Sequence, residues 1–179
     1  MAKKLQDMSL EELWELFPIV LVPHNDKWKE WFLEEEEVLR NMLPDAVITH
    51  IGSTAVPGIM AKPIVDILLE FSSIAEMKHA AETMENAGYI CMSSSPSRVS
   101  MNKGYTESGY SEKVFHYHLR LKGDNPEIGF RDYLRANPDA ASDYESIKKD
   151  LAVKYRNNRD AYTEGKTGFI KSVTGPTRK

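Results

Sequence analysis

Apolar positions along the chain change their spacing twice, from helical to strand-like and back to helical. Between Asn25 and Leu43 they recur every three or four residues, which predicts an amphipathic helix with Glu35 as the one polar side chain on its apolar stripe. Short apolar runs follow at strand spacing, and helical spacing returns beyond Asp124. The predicted helices cover 9–17, 25–43, 73–87, 126–136, 138–155 and 159–173, and the predicted strands cover 46–51, 63–71, 89–92, 98–103 and 113–122.

This order of elements predicts an α/β fold of the α+β kind, with a mixed, mainly antiparallel sheet flanked by helices. We expect helices to cover one face of the sheet and the other face to remain polar. A single domain is predicted over residues 1–179, with an N-terminal helical extension at 1–22 and a C-terminal helical portion at 124–174. The polar segment 104–112 predicts a hairpin loop or a lid. Three asparagines are placed to cap the last three helices: Asn125, Asn137 and Asn158.

Composition limits the classes of protein that fit. The 41% hydrophobic and 28% charged residues exclude a mostly disordered chain. Cys91 is the only cysteine, which excludes an internal disulfide and a cysteine-based zinc site, and its place in a strand predicts burial. No apolar run reaches the ~20 residues of a membrane helix, and the N-terminus lacks the apolar stretch of a signal peptide. We therefore expect no membrane partner and a cytoplasmic location.

Charge is distributed unevenly along the chain. The net charge of −4 argues against generic nucleic-acid binding, which needs a basic surplus. From Lys148 to Lys179, however, the sequence contains nine Lys and Arg residues and three acidic ones, and the preceding residues carry a net charge of −10. The basic region is either a surface for an anionic ligand or a solvated helix face followed by a basic tail.

The first motif with chemical meaning joins a turn to a strand. Gly52, Ser53 and Thr54 follow a predicted strand, and their backbone and hydroxyl groups can donate hydrogen bonds to a phosphate. Asp66 lies in the next strand among Val, Ile and Leu residues, where a carboxylate needs a metal, a basic partner or solvent. A turn that binds phosphate opposite a strand carboxylate can form an Mg²⁺-nucleotide site. The alternative is a structural turn with a carboxylate satisfied by an amide or a lysine.

A second motif lies in the last predicted strand. His116, His118 and Arg120 alternate with apolar residues and therefore share one face. Two histidines at this spacing, with Asp66 from a neighbouring strand, can hold one transition metal. Arg120 can bind a phosphate or a carboxylate. The alternative is a solvated polar face with two ordinary histidines.

Further basic residues fall in the predicted C-terminal helices. Arg131 and Arg135 are one helical turn apart and can clamp a triphosphate or form salt bridges between helices. Lys166 belongs to a Gly-Lys-Thr sequence that is no phosphate-binding P-loop, because it lacks the earlier glycine and the preceding strand. Lys166 can still reach a site as a phosphate or carboxylate partner. Close approach of this helix to the sheet is expected to explain Gly165 and Gly168.

Four stretches of the sequence resemble the GrpB family, the glutamate-rich protein B group. They are HIGSTAVPGIMAKPIVDILLE, HYHLRL, FRDYLRANPDAASDYESIKKDLAVKY and NNRDAYTEGKTGFIKSV, and the resemblance runs from about Pro23 to Val173. This family is similar to the DNA polymerase β-like nucleotidyltransferases, whose pattern is matched by Ile51-Gly52-Ser53 and by Asp66. The resemblance implies a nucleotidyltransferase-like fold. It also implies that Gly52, Ser53 and Thr54 hold phosphates and that Asp66 binds Mg²⁺.

The sequence departs from that superfamily at the other acidic positions. Leu68 stands where a second acid is expected, and Glu70 is about 13 Å further along the strand. A third acid would fall near 116–120, where there is none. In the implied mechanism His116, His118, Arg120 and Lys62 face the acceptor or the triphosphate.

Three functions remain open on the sequence alone. The first is a nucleotide-binding protein that transfers a nucleotidyl group to an unknown acceptor. The second is a non-catalytic domain that binds a small, anionic or regulatory molecule on the same fold. The third is a metal-dependent hydrolase built on Asp66, His116 and His118. The sequence gives neither the acceptor nor the oligomeric state.

Overall fold

A computed structural model describes residues 3–175. Six helices and five strands follow one another along the chain: α1 Leu10–Leu16, α2 Lys27–Met42, β1 Val47–Ile51, β2 Val65–Phe71, α3 Ile74–Asn86, β3 Ile90–Ser94, β4 Arg98–Thr106, β5 Gly109–Leu121, α4 Pro126–Ala136, α5 Pro138–Lys154 and α6 Arg159–Thr174. Short 3₁₀ turns lie at Leu5–Asp7 and Ser53–Ala55. Two residues of the basic tail, Arg178 and Lys179, and both ends of the predicted domain fall outside the described range.

The strands form one sheet in the order β1-β2-β5-β4-β3. The β2–β5 pair is parallel and the other three pairs are antiparallel, so the prediction of a mixed, mainly antiparallel sheet is confirmed. In this register Ile51 lies beside Asp66, which lies beside His116. The parallel pair therefore places the turn after β1 and the polar face of β5 next to one another.

One face of the sheet packs on α2 and α3. Trp28 and Leu39 of α2 and Met77 of α3 are almost fully buried against Ile67 and Tyr117 of the central strands. The apolar stripe predicted for α2 is therefore the inner face of the helix, and this face carries the main core.

Glu35 lies on that stripe because three donors satisfy it. Its carboxylate accepts hydrogen bonds from the hydroxyls of Tyr89 and Tyr117 at 2.7 and 2.8 Å, and it pairs with Lys103 at 2.7 Å. Burial and the neighbouring carboxylate raise the pKa of both tyrosines, so both hydroxyls remain donors. The charge is compensated within the core.

The other face of the sheet carries the polar side chains of Asp66, His116 and His118, as predicted, but helices cover it too, whereas the sequence predicted helices on one face only. Helix α4 contacts β1, and side chains of α5 and α6 reach the turn after β1 and strand β4. A second apolar cluster joins these helices to the segment after that turn, through Val56, Ile59, Leu134 and Tyr144. The prediction was wrong because the contacts that bring the C-terminal helices onto the sheet are remote in sequence.

Local predictions failed at three points. The hairpin predicted at 104–112 is present, but its loop is much shorter, because β4 continues to Thr106 and β5 begins at Gly109. Cys91 is exposed rather than buried, because β3 is an edge strand of the sheet and is exposed along its length. Of the three predicted caps, only Asn158 accepts a helix amide, whereas Asn125 donates to Glu70 and Asn137 to Tyr133.

Residues 3–175 contain no helix with the length and apolar character needed to span a membrane.

Candidate functional site

The turn between β1 and β2 lies directly against Asp66. Gly52 has a φ angle of 74°, in the left-handed region that favours glycine. A Cβ atom there would lie 2.6 Å from Oδ2 of Asp66. Glycine at position 52 is therefore required both by the backbone and by the carboxylate, and it lets the turn approach the strand.

Asp66 interacts with the two histidines that the sequence predicted on the same face of the sheet. Nε2 of His118 lies 3.0 Å from Oδ1 of Asp66, and Nδ1 of His116 lies 3.6 Å from the same oxygen. Burial acts to raise the pKa of Asp66, but the interactions with the histidines outweigh it and hold this pKa well below its usual range. Burial lowers the pKa of His116. An ionised carboxylate thus faces an imidazole that is neutral at pH 7.

A chain of donors leads from α6 to this carboxylate. Arg159 donates to the hydroxyl of Tyr105 at 3.0 Å, and that oxygen lies 2.6 Å from Nε2 of His116. With Nδ1 of His116 protonated toward the carboxylate, Nε2 is the acceptor and the tyrosine hydroxyl donates to it. Asp66 therefore accepts a hydrogen bond from His118 and faces His116 at ion-pair distance.

A lysine from α5 reaches the same turn. Nζ of Lys148 donates to Oγ of Ser53 at 3.1 Å and to the carbonyl of Met60. Its side chain is buried, and burial with the neighbouring Lys166 lowers its pKa to about 7. The hydroxyl of Thr54 instead lies 3.0 Å from Nε2 of His50, on the other side of the turn. Ser53 therefore faces the site and Thr54 does not.

Two more lysines lie around one aromatic ring of α6. Nζ of Lys166 and Nζ of Lys62 are 4.5 and 5.4 Å from the ring centre of Tyr162. Burial, Lys166 and Arg159 lower the pKa of Lys62 to about 7, and burial lowers that of Lys166. We call Lys62, Lys148, Lys166 and Arg159 the cationic cluster. Its members act electrostatically on one another, and Lys62 and Lys166 also interact with Asp66.

Three predicted arginines lie outside this cluster. Arg120 is buried near Asp124 and Glu127, at 3.9 and 3.8 Å, because four residues of strand carry it away from His116. Arg131 donates to the carbonyl of His50 and Arg135 to that of Ala55, at 2.7 and 2.8 Å. These two contacts bind α4 to the turn from outside.

A groove of about 940 Å³ lies on that outer side of the turn, between α2, the segment after the turn and helices α4 and α5. Its lining includes Thr54 and Arg135, but neither Asp66 nor the cationic cluster. Thr54 and Arg135 therefore belong to a different surface from the one the sequence predicted.

Asp66, His116 and His118 do not surround a common metal position. Among residues 3–175 no group of three or more His, Cys, Asp or Glu side chains is arranged to hold an ion. Both imidazoles approach one carboxylate oxygen, and His116 turns its other nitrogen to Tyr105. The geometry thus gives no support to a metal-dependent hydrolase at these residues.

The residues also fit Mg²⁺ poorly. Leu68, at the position of the second acid, is fully buried. Glu70 accepts bonds from the amide of Gly123 and the side chain of Asn125 at 3.0 and 2.9 Å, which makes it structural. One carboxylate that faces two imidazoles and interacts with Lys62 and Lys166 is a weak ligand set for a divalent ion.

Sequence reasoning missed two members of the cluster, Lys148 and Arg159. Lys148 lies seven residues after the buried Ala141 on α5, and Arg159 lies three residues before the buried Tyr162 on α6. A basic residue on the buried stripe of a helix is the signal that could have identified each.

Comparison with known proteins identifies relatives of this chain. The family described as "GrpB protein" matches residues 18–175. Glutamate-rich protein GrpB of Alkalihalophilus pseudofirmus is 37% identical over 87% of this chain and 93% of its own length. UPF0157 protein YqkA of Bacillus subtilis is 34% identical over 93% of this chain, but the chain spans only 49% of that relative.

Solved structures show the same fold. GrpB from Enterococcus faecalis matches with a TM-score of 0.74 and 30% identity, over 87% of this chain and 94% of that one. Cid1 in complex with the UTP analog UMPNPP matches with a TM-score of 0.51 and 12% identity, over 90% of this chain and 49% of that one. The fold is therefore nucleotidyltransferase-like, as predicted.

Proposed function

This chain belongs to the GrpB family, and from that premise we propose that it binds a nucleotide through its phosphate groups at the cationic cluster. The observation that carries the proposal is the grouping of four basic side chains near the turn next to Asp66. Lys148 donates to Ser53 of that turn, and Lys148, Lys166 and Arg159 all act electrostatically on Lys62. Clustered, buried ammonium groups repel one another and lose their hydration. A bound anion reduces the repulsion and replaces the lost water with new hydrogen bonds.

Phosphate is the anion that suits this arrangement best. Arginine and lysine side chains from separate elements can each contact a different phosphate oxygen, and the hydroxyl of Ser53 can donate to a further one. Tyr162 adds an aromatic ring between two lysines. The likeness of the fold to Cid1 supports a nucleotide as the carrier of the phosphates, although at 12% identity it shows the fold alone.

A second candidate, nucleotidyl transfer to an unknown acceptor, is favoured by the Asp66–His118 pair. Because a carboxylate oxygen only accepts, Nε2 of His118 donates to it at 3.0 Å, and in a neutral imidazole Nδ1 then carries the lone pair. Nδ1 could take the proton of an acceptor hydroxyl as that oxygen bonds to the α-phosphorus. The bond from the α-phosphorus to the departing oxygen would break, and pyrophosphate would leave toward the cationic cluster. Without this step the site is a binding site only.

Thermal unfolding with a panel of nucleoside triphosphates and matching nucleosides tests binding. A triphosphate at 100 times its Kd should raise the Tm by about 5–10 °C, and a nucleoside should not. Lys148→Met should abolish the shift, whereas Lys149→Met on the same helix, with a half-exposed side chain, should leave it intact. If no nucleotide changes the Tm with or without Mg²⁺, Mn²⁺ or Zn²⁺, the proposed function is wrong.

Transfer needs its own measurement. Candidate acceptors are incubated with triphosphates labelled on the α-phosphate, and pyrophosphate release is followed. Under the transfer candidate, wild type releases pyrophosphate with labelled product, and His118→Gln still binds the nucleotide but does not. Binding without pyrophosphate release across the acceptor panel would favour the non-catalytic binding domain.

A further inference from the structure

We propose that the cationic cluster takes the place of a divalent metal, so that the site binds polyphosphates without Mg²⁺. The inference deepens the proposed function and rests on it for the identity of the ligand. It concerns which groups neutralise the phosphate charge. Mg²⁺ could do so only if it bound at Asp66, where the available ligands fit this ion poorly.

The balance of charge favours an anion over a cation. Asp66 is the carboxylate that acts on Lys62 and Lys166. Glu145, which faces Lys148, is bonded to the amide of Met60 at 2.6 Å and to Lys149 at 2.5 Å. Four basic side chains are therefore balanced by two carboxylates: Asp66, which pairs with the two histidines, and Glu145, which already pairs with Lys149. A divalent cation would add to the repulsion, whereas a phosphate would relieve it.

One oxygen of Asp66 is already engaged. Oδ1 receives His118 at 3.0 Å and faces His116 at 3.6 Å, and Oδ2 lies against the turn at Gly52. Mg²⁺ demands near-ideal octahedral oxygen coordination and relies on one or two carboxylates besides phosphate and water. Asp66 alone, with Oδ1 turned to the imidazoles, offers the ion a single carboxylate oxygen.

The lysines, in contrast, are available. In the described part of the chain the carboxylate of Asp66 pairs with the two histidines rather than with Lys62 or Lys166. Both ammonium groups instead lie over the ring of Tyr162. An aromatic ring holds a cation in place without neutralising its charge. Two positive charges are thus positioned beside the turn and can reach an incoming anion.

Isothermal titration with inorganic triphosphate and with ATP, each in EDTA and in Mg²⁺, tests the inference on the full chain. We expect binding in EDTA with a Kd within threefold of that in Mg²⁺. Asp66→Asn should bind as tightly as wild type or up to tenfold more tightly, because it removes a negative charge. The double variant Lys62→Met, Lys166→Met should bind at least tenfold more weakly. Lys78→Met, an exposed lysine on α3, should bind unchanged.

Each contrary result has a distinct meaning. If ATP binds only with Mg²⁺ and Asp66→Asn abolishes binding, the inference is overturned and the proposed function stands. If triphosphate binds in EDTA but no nucleotide binds in either condition, the inference stands and the proposed function is overturned. If neither ligand binds in any condition, both are overturned. Circular dichroism of each variant confirms that a loss of binding is not a loss of fold.

Discussion

Gly52 and Asp66 are in contact in a way that excludes any other residue at position 52. A Cβ atom there would lie 2.6 Å from Oδ2 and 3.1 Å from Cβ of Asp66. The backbone of Gly52 also has a positive φ of 74°. Two separate constraints therefore act on one residue, one on the conformation of the turn and the other on the position of the carboxylate.

These two constraints can be separated by a pair of substitutions. Gly52→Ala violates both constraints. Gly58→Ala, at a φ of 83° with open space around it, violates only the backbone constraint. We expect Gly58→Ala to lower the free energy of unfolding by about 1–2 kcal/mol, the cost of a left-handed conformation with a Cβ. Gly52→Ala should cost more and should also weaken triphosphate binding at least tenfold. Urea denaturation and titration calorimetry measure both. Equal stability and equal affinity of the two variants would show that the close contact has no consequence.

Lys62 should lower the stability of the ligand-free protein at neutral pH. Its pKa of about 7 lies below the ordinary 10.5. Between these values the unfolded chain binds a proton that the folded chain does not, so this residue makes the unfolding free energy rise with pH. Lys62→Met should therefore be more stable than wild type at pH 7, by about 1–2 kcal/mol. The difference should shrink by pH 9, as the lysine in wild type becomes neutral.

Urea denaturation at both pH values provides the measurement, with Lys78→Met as the control for removing a lysine from an exposed position. Lys78→Met should change the unfolding free energy by less than about 0.5 kcal/mol. A Lys62→Met variant that is less stable than wild type at pH 7 contradicts the view that burial of this charge is unfavourable.

The alternation of residues along β5 was enough to predict one half of the site. His116 and His118 share a face because side chains of a strand repeat every two residues, which is a local rule. Asp66 was identified as an acid inside an apolar strand, also a local feature. The register of β2 against β5 then joins the two predictions, since Asp66 lies beside His116.

The other half of the site was not predictable in this way. Lys148 reaches Ser53 across 95 positions of sequence, and Arg159 reaches Tyr105 across 54. Both contacts depend on how α5 and α6 pack on the sheet, which no local spacing specifies. The lack of any local signal for this packing also led to the expectation that helices would cover only one face of the sheet. Arg120 was misplaced for a different reason, because sharing a face does not bring residues four positions apart together.

Glu35 offers a test of the core on the opposite face. Glu35→Gln keeps the size of the side chain but removes the charge that pairs with Lys103, and it leaves the hydroxyl hydrogens of Tyr89 and Tyr117 with a poorer acceptor. We expect a loss of about 1–3 kcal/mol in the free energy of unfolding. Glu34→Gln, on an exposed side chain that pairs with Lys113, should cost about 0–1 kcal/mol. Similar losses in the two variants would show that the buried network contributes no more than a surface ion pair.

Two glycines in α6 should respond in opposite ways to alanine. The sequence suggested that both allow the helix to approach the sheet, but a Cβ at Gly165 would instead lie 2.4 Å from Cδ2 of Leu151 on α5, and a Cβ at Gly168 would meet nothing within 4 Å. Gly168→Ala should therefore stabilise the protein by about 0.5–1 kcal/mol, the ordinary gain in helix propensity. Gly165→Ala should gain nothing or lose stability, because Leu151 must move.

A double-mutant cycle separates propensity from contact at this helix pair. Leu151→Ala removes the side chain that a Cβ at position 165 would meet, so in that background Gly165→Ala should stabilise by the same amount as Gly168→Ala does in wild type. The interaction between positions 151 and 165 should then be about 1–2 kcal/mol, measured by urea denaturation of the four proteins. If Gly165→Ala stabilises wild type as much as Gly168→Ala, α5 and α6 do not approach as closely as the structure shows. In that case the distance between Lys148 on α5 and Lys166 on α6 would also need to be revised.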